Sequence, residues 1–357
     1  MGTLVKFAEL VAYRPRIEAH LRREYDRERP NAPTNVRPYL RLNEGLTLRG
    51  GKRFRAILLL AGYHIASGRR PDVAIGPAAA LEHFQSWMLI HDDIIDHSAE
   101  RRGGPTVHRA AAALRGRGAP RPEAEEFGVG IGITLGDLEE PATVEGLLGS
   151  AAPGPARLAA LAEYARMTRL TAYGQLLDIR NGTRPPAQVR EADVYLVHEL
   201  KSAVYTVVAP LRIGALLGGA RPDRLEDLAA WGRDIGVAFQ LRDDVLGAGF
   251  SAVDIGKSSN DIVEGKRTLL IVRAWATATA AERRELERAL GRPTATAREI
   301  RRALEILRST GSLAYSERAI ARLGRRASRR LAESRTIRSA AKPLLAEIGQ
   351  RLIERSV

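Results

Sequence analysis

Apolar and polar residues alternate with a helical period along most of this chain. Apolar side chains recur three and four positions apart in several long segments, including residues 54–66, 156–179 and 192–217. Such spacing places the apolar residues on one face of an α-helix. No stretch of strict alternation is long enough to predict a sheet. The pattern therefore predicts an all-α protein of about a dozen helices.

Short stretches rich in glycine and proline separate these segments. They lie at residues 115–123, 149–156, 181–186, 218–223 and 291–297. Both residue types end helices and favour turns. Because the links are short and no internal repeat appears, we predict a single helical domain over residues 1–357. The longest irregular stretch, residues 247–266, is of the kind that often serves as a functional loop.

Composition supports a globular helical protein. The chain has 357 residues, of which 45% are hydrophobic but only 5% aromatic, so the core must be built mainly from aliphatic side chains. A chain of this length can bury a large core. There is no cysteine, which excludes disulfides and cysteine-based catalysis and suits a reducing compartment.

The formal net charge of +14 raises the question of an anionic partner. Basic residues are spread along the chain, with one dense group at residues 322–335. That group fits either a solvated helix face or a polyanion site. Few aromatic residues, together with acids inside the basic motifs, count against a nucleic-acid-binding protein.

The first residues lack the continuous apolar core of a signal peptide. The longest apolar stretch, around residues 56–66, is too short to span a bilayer. The sequence therefore predicts a cytoplasmic protein without stable membrane insertion.

Three carboxylates follow an apolar run in "WMLIHDDIID". Asp92 and Asp96 would lie one turn apart on a helix, with Asp93 on the same arc. Acids at this spacing repel each other unless a cation lies between them. Oxygen ligands favour a hard cation, of which Mg²⁺ fits best. Asp243 and Asp244 form a second acidic pair after another apolar helix, and the two pairs would suit opposite sides of one cavity.

Several basic residues lie beside glycines, where an anion can approach the backbone. Lys52, Arg53 and Arg55 follow Gly-Gly at a predicted helix start, which favours anions. Arg101 and Arg102 precede a second Gly-Gly, and arginine pairs strongly with phosphate. The irregular stretch adds Lys257 and Lys266. It is not a nucleotide-binding P-loop, because position 251 is serine rather than glycine. Two metal-binding acidic clusters and several phosphate-binding sites suit two diphosphate groups, and the apolar helices suit a hydrocarbon tail.

The combination resembles the trans-isoprenyl diphosphate synthases, or polyprenyl synthetases. Matching motifs run in the family's order over residues 48–270, as "GGKRFR", "HDDIID", "RRGG", "GQLLD", "KSAVYT", "FQLRDD" and "EGKRT", with further helices at 271–357. The resemblance implies an isoprenoid synthase fold, a deep central cavity and a homodimer. It also implies three Mg²⁺ ions and two substrates, isopentenyl diphosphate and an allylic prenyl diphosphate.

The resemblance further assigns roles by residue. The metal ligands would be Asp92, Asp96 and Asp243. The catalytic side chains would be Asp92, Asp93, Asp96, Asp243, Asp244, Lys201 and Gln240. The allylic diphosphate would contact Arg101, Lys201, Lys257 and Lys266, and isopentenyl diphosphate would contact Lys52, Arg55, Gln85 and Arg102. Ser202 and Gln240 would lie near the developing cation.

The implied product is short. Trp87, five residues before the first aspartate, would close the cavity, with Met88 beside it. We expect geranylgeranyl diphosphate (C20), with farnesyl (C15) and farnesylgeranyl (C25) diphosphate as alternatives. Two other classes stay open, a non-catalytic partner subunit and a class I terpene cyclase.

Two features depart from the family pattern. Position 247, usually the last aspartate of the second acidic motif, is glycine, which predicts weaker metal binding with activity retained. Glu139 and Glu140 occupy a helix that is commonly more apolar, and the sequence gives no account of them.

Overall fold

The computed structural model describes residues 5–115, 120–250 and 260–354. Its contacts divide the chain into two compact units. Unit 1 comprises Met1–Ala162 and Pro210–Ala220, and unit 2 comprises Glu163–Ala209 and Arg221–Val357. The single-domain assignment stays a prediction.

Over the residues that the structure describes, unit 1 is helical apart from one hairpin of two short antiparallel strands. Short 3₁₀ turns lie at Arg29–Asn31 and Pro71–Ala74. The elements are α1 (Phe7–Val11), α2 (Arg14–Glu28), α3 (Arg37–Leu48), α4 (Phe54–Ser67), α5 (Ile75–Ile95), β1 (Glu100–Arg101), β2 (Gly104–Pro105), α6 (Val107–Leu114), α7 (Arg121–Leu148), the start of α8 (Gly154–Thr183), and α10 (Ala209–Leu217) from Pro210.

Unit 2 is also helical and includes a π-helix, His198–Val208, between α9 and α10. Short 3₁₀ turns lie at Pro186–Gln188 and Ser339–Ala341. The remaining helices are the rest of α8, α9 (Glu191–Val197), α11 (Pro222–Gly247), α12 (Asn260–Val263), α13 (Leu269–Thr277), α14 (Ala280–Ala289), α15 (Ala297–Ser309), α16 (Ser312–Glu333) and α17 (Lys342–Glu354).

The predicted breakers coincide with the ends of helices. The stretch at 115–123 separates α6 from α7, and the stretch at 149–156 separates α7 from α8. In unit 2, threonine side chains cap α13, α14 and α15 at their first turns; they belong to Thr268, Thr279 and Thr296. Such caps satisfy backbone N–H groups that a helix leaves unpaired. The predicted all-α fold is confirmed.

Two glycines allow α4 and α10 to pack backbone against backbone in unit 1. A Cβ atom at Gly62 would lie 2.9 Å from the carbonyl carbon of Leu211, and one at Gly214 would lie 2.8 Å from that of Leu59. Real Cβ atoms do not approach a backbone so closely. Neither position therefore tolerates a side chain without a shift of the helices.

The continuous helical run Glu191–Leu217 corrects the sequence estimate of the longest apolar segment. By length and composition it could cross a bilayer, with a mean hydropathy of 1.4 over its best window. However, 72% of that window is buried within the structure. A core helix of a soluble protein passes the same test, so the run is weak support for a membrane span.

Candidate active site

Helix α5 ends in the predicted acidic group. Asp92 and Asp93 lie in its last turn, and Asp96 follows directly after the helix. The N–H of Asp96 donates to the carbonyl oxygen of Asp92 at 2.8 Å, so these two residues lie one turn apart. Both are half-buried. Carboxylates at the negative end of a helix dipole repel each other and the helix end, so a cation bound there would be strongly stabilised.

Asp93 differs from its neighbours because it is fully buried. Its Oδ1 accepts hydrogen bonds from Nε and Nη2 of Arg101, at 2.8 Å and 2.5 Å. Burial raises the pKa of Asp93, and the Arg101 guanidinium opposes this effect. The pair ties the β1–β2 hairpin to α5. Asp93 therefore holds Arg101 beside the two outer carboxylates.

Basic side chains crowd together around Arg102. Burial lowers the pKa of Arg102 to about 10, and neighbouring guanidinium groups add to this effect although Glu82 opposes it. Those groups belong to Arg53, Arg55 and Arg101. The three neighbouring guanidinium groups therefore repel that of Arg102. An anion bound there would relieve the repulsion.

The Gly-Gly turn before α4 shapes this basic group. Gly50 and Gly51 have φ angles of +66° and +97°, and a Cβ at Gly51 would lie 3.3 Å from Nη2 of Arg102. Arg53 is buried and contacts Glu18 and Glu82 at 3.3 Å and 3.2 Å. Arg53 thus anchors the turn. Lys52 is exposed and Arg55 is half-buried, and they remain the two predicted binding residues of this segment.

Gln85 and Trp87 lie in α5 before the acidic group. They are the residues predicted to contact isopentenyl diphosphate and to close the cavity. Gln85 is buried, and its Oε1 has no hydrogen-bond partner among the described residues. Trp87 is half-buried, as is Met88. The Trp87 ring lies edge to face with Phe84 at 5.8 Å and with His91 at 6.1 Å. This aromatic cluster is the bulkiest feature of that part of α5.

Glu139 belongs to a buried polar network around His83, which lies one helical turn before Trp87 on α5. Its carboxylate accepts hydrogen bonds from the Tyr25 hydroxyl at 2.9 Å and from Nδ1 of His83 at 2.6 Å. Nε2 of His83 lies 3.2 Å from Glu24. Glu139 of α7 is therefore a structural partner of the buried His83. Glu140 is half-buried, and its role stays open.

In unit 2, α11 carries the second acidic pair in its last turn. Asp244 is buried, and its two oxygens accept from Nε2 of His198 at 2.7 Å and Nε2 of Gln240 at 3.0 Å. Burial alone would lower the pKa of His198, but the charge and hydrogen bond of Asp244 outweigh it and raise this pKa. Asp243 is only partly buried. The two acids thus differ, because Asp244 holds His198 and Gln240 whereas Asp243 is less buried.

Lys201 lies on the π-helix against α8. Its Nζ donates to Asp178 at 2.6 Å. A Cβ at Gly174 would lie 2.7 Å from Cα of Lys201, so glycine is required for α8 to approach this closely. Ser202 beside it is buried. The "GQLLD" motif therefore supplies both the space and the anionic partner for Lys201.

The glycine at position 247 lies against a carboxylate from elsewhere in the sequence. A Cβ at Gly247 would lie 2.8 Å from Cγ of Asp261. Asp261 is held by Nζ of Lys266 at 3.2 Å, and Lys266 also contacts Glu264 at 2.7 Å. The sequence motifs assigned no role to Asp261, although it belongs to an "ND" pair between Lys257 and the "EGKRT" motif. Lys257 lies outside the described residues.

Each unit thus brings together a predicted acidic pair and predicted basic residues. Among the residues that the structure describes, no three histidine or carboxylate side chains are grouped closely enough to hold a metal ion by themselves. Mg²⁺ usually takes one or two carboxylates and completes its coordination with water and phosphate. The suggestion that both acidic pairs face one cavity stays a prediction.

Comparisons with known proteins identify relatives of this chain. A short chain isoprenyl diphosphate synthase of Methanothermobacter thermautotrophicus is 31% identical over 78% of each chain. A geranylgeranyl diphosphate synthase of Methanosarcina mazei is 33% identical over 74% of each. The crystal structure of a geranylgeranyl pyrophosphate synthase from Corynebacterium glutamicum, complexed with isoprenyl diphosphate and magnesium, has a TM-score of 0.88 and 29% identity, covering 98% of this chain and 100% of that one.

The fold is that of the all-helical isoprenoid synthases. Residues 39–307 match the polyprenyl synthetase family, and the chain belongs to that family. It is accordingly a transferase of prenyl groups. The predictions of family, fold and enzyme class are confirmed.

Proposed function

We propose that the chain condenses isopentenyl diphosphate with an allylic prenyl diphosphate to make a short trans-prenyl diphosphate. The observation that carries this proposal is the group of basic side chains around Arg102, next to the acidic end of α5. One unit thus offers both a metal-dependent and a metal-free means of binding a diphosphate.

Asp92 and Asp96 would hold magnesium in unit 1, and Asp243 would hold it in unit 2. Their oxygen donors fit this hard cation, and phosphate would complete its coordination. The full complement would be three ions per chain. When bound, magnesium neutralises the diphosphate as it leaves the allylic carbon. Asp261, which lies where a longer side chain at 247 would lie, would supply the carboxylate that Gly247 lacks.

The basic residues would hold the two substrates. Lys52, Arg55 and Arg102 would bind isopentenyl diphosphate, and the side-chain amide Nε2 of the buried Gln85 would donate a hydrogen bond to it. Arg101, held by Asp93, would bind the allylic diphosphate. Lys201, Lys257 and Lys266 would also contact the allylic diphosphate.

The reaction then follows from charge stabilisation. The allylic C–O bond breaks and pyrophosphate leaves, the alkene of isopentenyl diphosphate forms the new C–C bond, and a proton passes to pyrophosphate. The Gln240 amide donates to Asp244, which leaves its carbonyl oxygen to stabilise positive charge. Ser202 would lie near the same cation. Exclusion of water protects the cation from being quenched.

We propose geranylgeranyl diphosphate (C20) as the product. The aromatic cluster of Trp87, Phe84 and His91 would limit the length of the growing chain, with Met88 beside it. Farnesyl (C15) and farnesylgeranyl (C25) diphosphate are the alternatives. We further propose that the enzyme is a cytoplasmic homodimer, with no nucleic-acid partner.

The test is an incubation of the purified chain with Mg²⁺, isopentenyl diphosphate and each allylic starter, with products sized by chromatography. Asp92→Ala should lower turnover at least about a thousandfold while leaving the circular dichroism spectrum unchanged. Asp26→Ala, an exposed acid on α2, is the matched control and should keep full turnover.

A single product length would establish elongation and fix the chain length together. Absence of product with every starter would instead favour a non-catalytic partner subunit or a terpene cyclase. Near-normal turnover of Asp92→Ala would remove the metal assignment.

A further inference from the structure

Unit 2 contains a second basic feature that the proposed reaction does not use. A cavity of about 600 Å³ lies between α9 with the start of the π-helix, α11 and α16. Four arginines line it, one from α11 and three from α16, and they are Arg233, Arg322, Arg326 and Arg330. We call this the arginine cavity. It falls within the basic stretch that the sequence left unexplained.

A buried carboxylate organises two of these arginines. Asp234 is 3% exposed. It accepts hydrogen bonds from Nε and Nη2 of Arg326, at 2.9 Å and 2.5 Å, and from Nε of Arg330, at 2.9 Å. One carboxylate thus holds two guanidinium groups in fixed positions. One positive charge remains, on side chains whose freedom has already been restricted.

The other two arginines add to this positive charge. Arg322 lies one helical turn before Arg326 on α16, so it belongs to the same stripe. Arg233 follows Asp234 along α11 and is 3.8 Å from Glu199. Four arginines against two carboxylates leave the arginine cavity with a formal charge of plus two.

A tyrosine supplies an additional donor. The hydroxyl oxygen of Tyr195 is enclosed and makes no hydrogen bond of normal geometry among the described residues. Burial raises the pKa of Tyr195, and the nearby Arg322 charge partly opposes this effect. The hydroxyl therefore keeps its proton at neutral pH. An enclosed donor beside several guanidinium groups is complementary to an anion that accepts several hydrogen bonds.

We propose that the arginine cavity binds a phosphate or diphosphate group as a regulatory or anchoring ligand. A phosphate monoester carries close to two negative charges, which matches the charge of the cavity, and a diphosphate carries more. Guanidinium pairs with phosphate through two parallel hydrogen bonds. The volume falls in the range of small-molecule sites. The ligand is either a soluble diphosphate or the phosphate headgroup of a lipid.

The test compares two double variants of the full chain with equal change of charge. Arg233→Gln with Arg322→Gln removes the arginines that do not hold Asp234. Arg325→Gln with Arg329→Gln removes two exposed arginines of α16 that do not line the cavity. Inorganic pyrophosphate is titrated calorimetrically without magnesium. A third variant, Lys52→Gln with Arg55→Gln, removes the proposed isopentenyl diphosphate site.

The cavity variant should lose one pyrophosphate binding event per chain, or bind it at least tenfold more weakly. The Arg325/Arg329 control should bind as the wild type does, and the Lys52/Arg55 variant should keep the event that belongs to the cavity. Unchanged pyrophosphate binding by the cavity variant would overturn the proposal. If the double variant does not fold, Arg322→Gln alone is used.

A second measurement identifies the source of the phosphate. Wild-type protein is sedimented with phosphatidylcholine vesicles with and without phosphatidate. Binding that requires phosphatidate and is lost in the cavity variant supports a lipid headgroup, whereas pyrophosphate binding alone supports a soluble ligand. The condensation assay is run separately on the cavity variant and should be unaffected, so the proposed function and this proposal fail independently.

Discussion

At the scale of single residues, Asp261 deserves the first test because it lies against the glycine at position 247. Asp261→Asn keeps the shape but removes the charge. We expect turnover to fall by about 10–100-fold and half-maximal activity to require more Mg²⁺, as is usual when a group beside a metal ligand is lost. The measurement is a titration of activity against Mg²⁺. Asp223→Asn, an exposed acid in the first turn of α11, is the control.

An unchanged Mg²⁺ dependence in Asp261→Asn would show that this residue only positions Lys266.

The sequence could predict Asp92 and Asp243, because each ends an apolar helix within a short motif. It could not predict that His198 pairs with Asp244, 46 positions away. Contacts at that separation depend on how the helices pack.

The His83 network makes stability depend on pH. Burial opposes the charge of His83, but Glu139 and Glu24 outweigh it and raise the pKa of His83 to about 10. Burial also opposes the charge of Glu24, but hydrogen bonds from His20 and His83 lower the pKa of Glu24 to about 2.

The contribution of His83 to the free energy of unfolding is therefore complete below about pH 6.5 and lost as the pH rises toward 10. That of Glu24 is complete above about pH 4.5 and lost toward pH 2. Denaturant unfolding at several pH values checks this. His83→Gln should lower the free energy of unfolding by about 3–5 kcal/mol near pH 6 and weaken its fall above pH 6.5. If the free energy of unfolding of His83→Gln falls above pH 6.5 as steeply as that of the wild type, His83 is not the source of this pH dependence.

At the scale of secondary structure, the sequence predicted the helices and their breaks well because apolar spacing and glycine–proline stretches are local signals. The π-helix His198–Val208 was not predicted. Residues 192–217 have the same apolar spacing as an ordinary α-helix, so the extra residue per turn leaves no local signal. The close approach of α8 to the π-helix at Lys201 depends on how the helices pack.

The end of α5 that carries Trp87 should determine product length. Trp87→Ala removes the largest ring of the aromatic cluster, so we expect the product to lengthen by about one isoprene unit, as the freed volume becomes accessible. Phe84 then becomes the next barrier, and adding Phe84→Leu should lengthen the product further. Chromatographic sizing of products checks both. Trp275→Ala, a half-buried tryptophan on α13, should leave the length unchanged, and an unchanged length in Trp87→Ala would exclude Trp87 as the limit.

At the scale of the whole molecule, α8 exposes an apolar stripe that suits the proposed homodimer. Tyr173, Leu176 and Ile179 are 49%, 64% and 44% exposed and lie three positions apart. Exposed apolar groups of this kind mark interaction surfaces. The sequence could not predict the stripe, because α8 carries apolar residues around much of its circumference.

Leu176→Glu should convert the dimer to a monomer, because it places a charge in an apolar interface. Light scattering after size-exclusion chromatography measures the mass. Val73→Glu, at another exposed apolar residue with 53% exposure, is the control and should remain a dimer. A wild-type chain that is monomeric at all concentrations would refute the proposed assembly.

The backbone contact between α4 and α10 has a consequence for how the protein is made. Unit 1 is complete only when Pro210–Ala220 has joined Met1–Ala162, since Gly62 receives the backbone of Leu211. A ribosome adds about 5–20 residues per second, so the groove on α4 stays open for several seconds after residue 162 has been translated. During that interval the nascent chain exposes apolar surface, and we expect it to depend on chaperones more than a protein whose units are continuous in sequence.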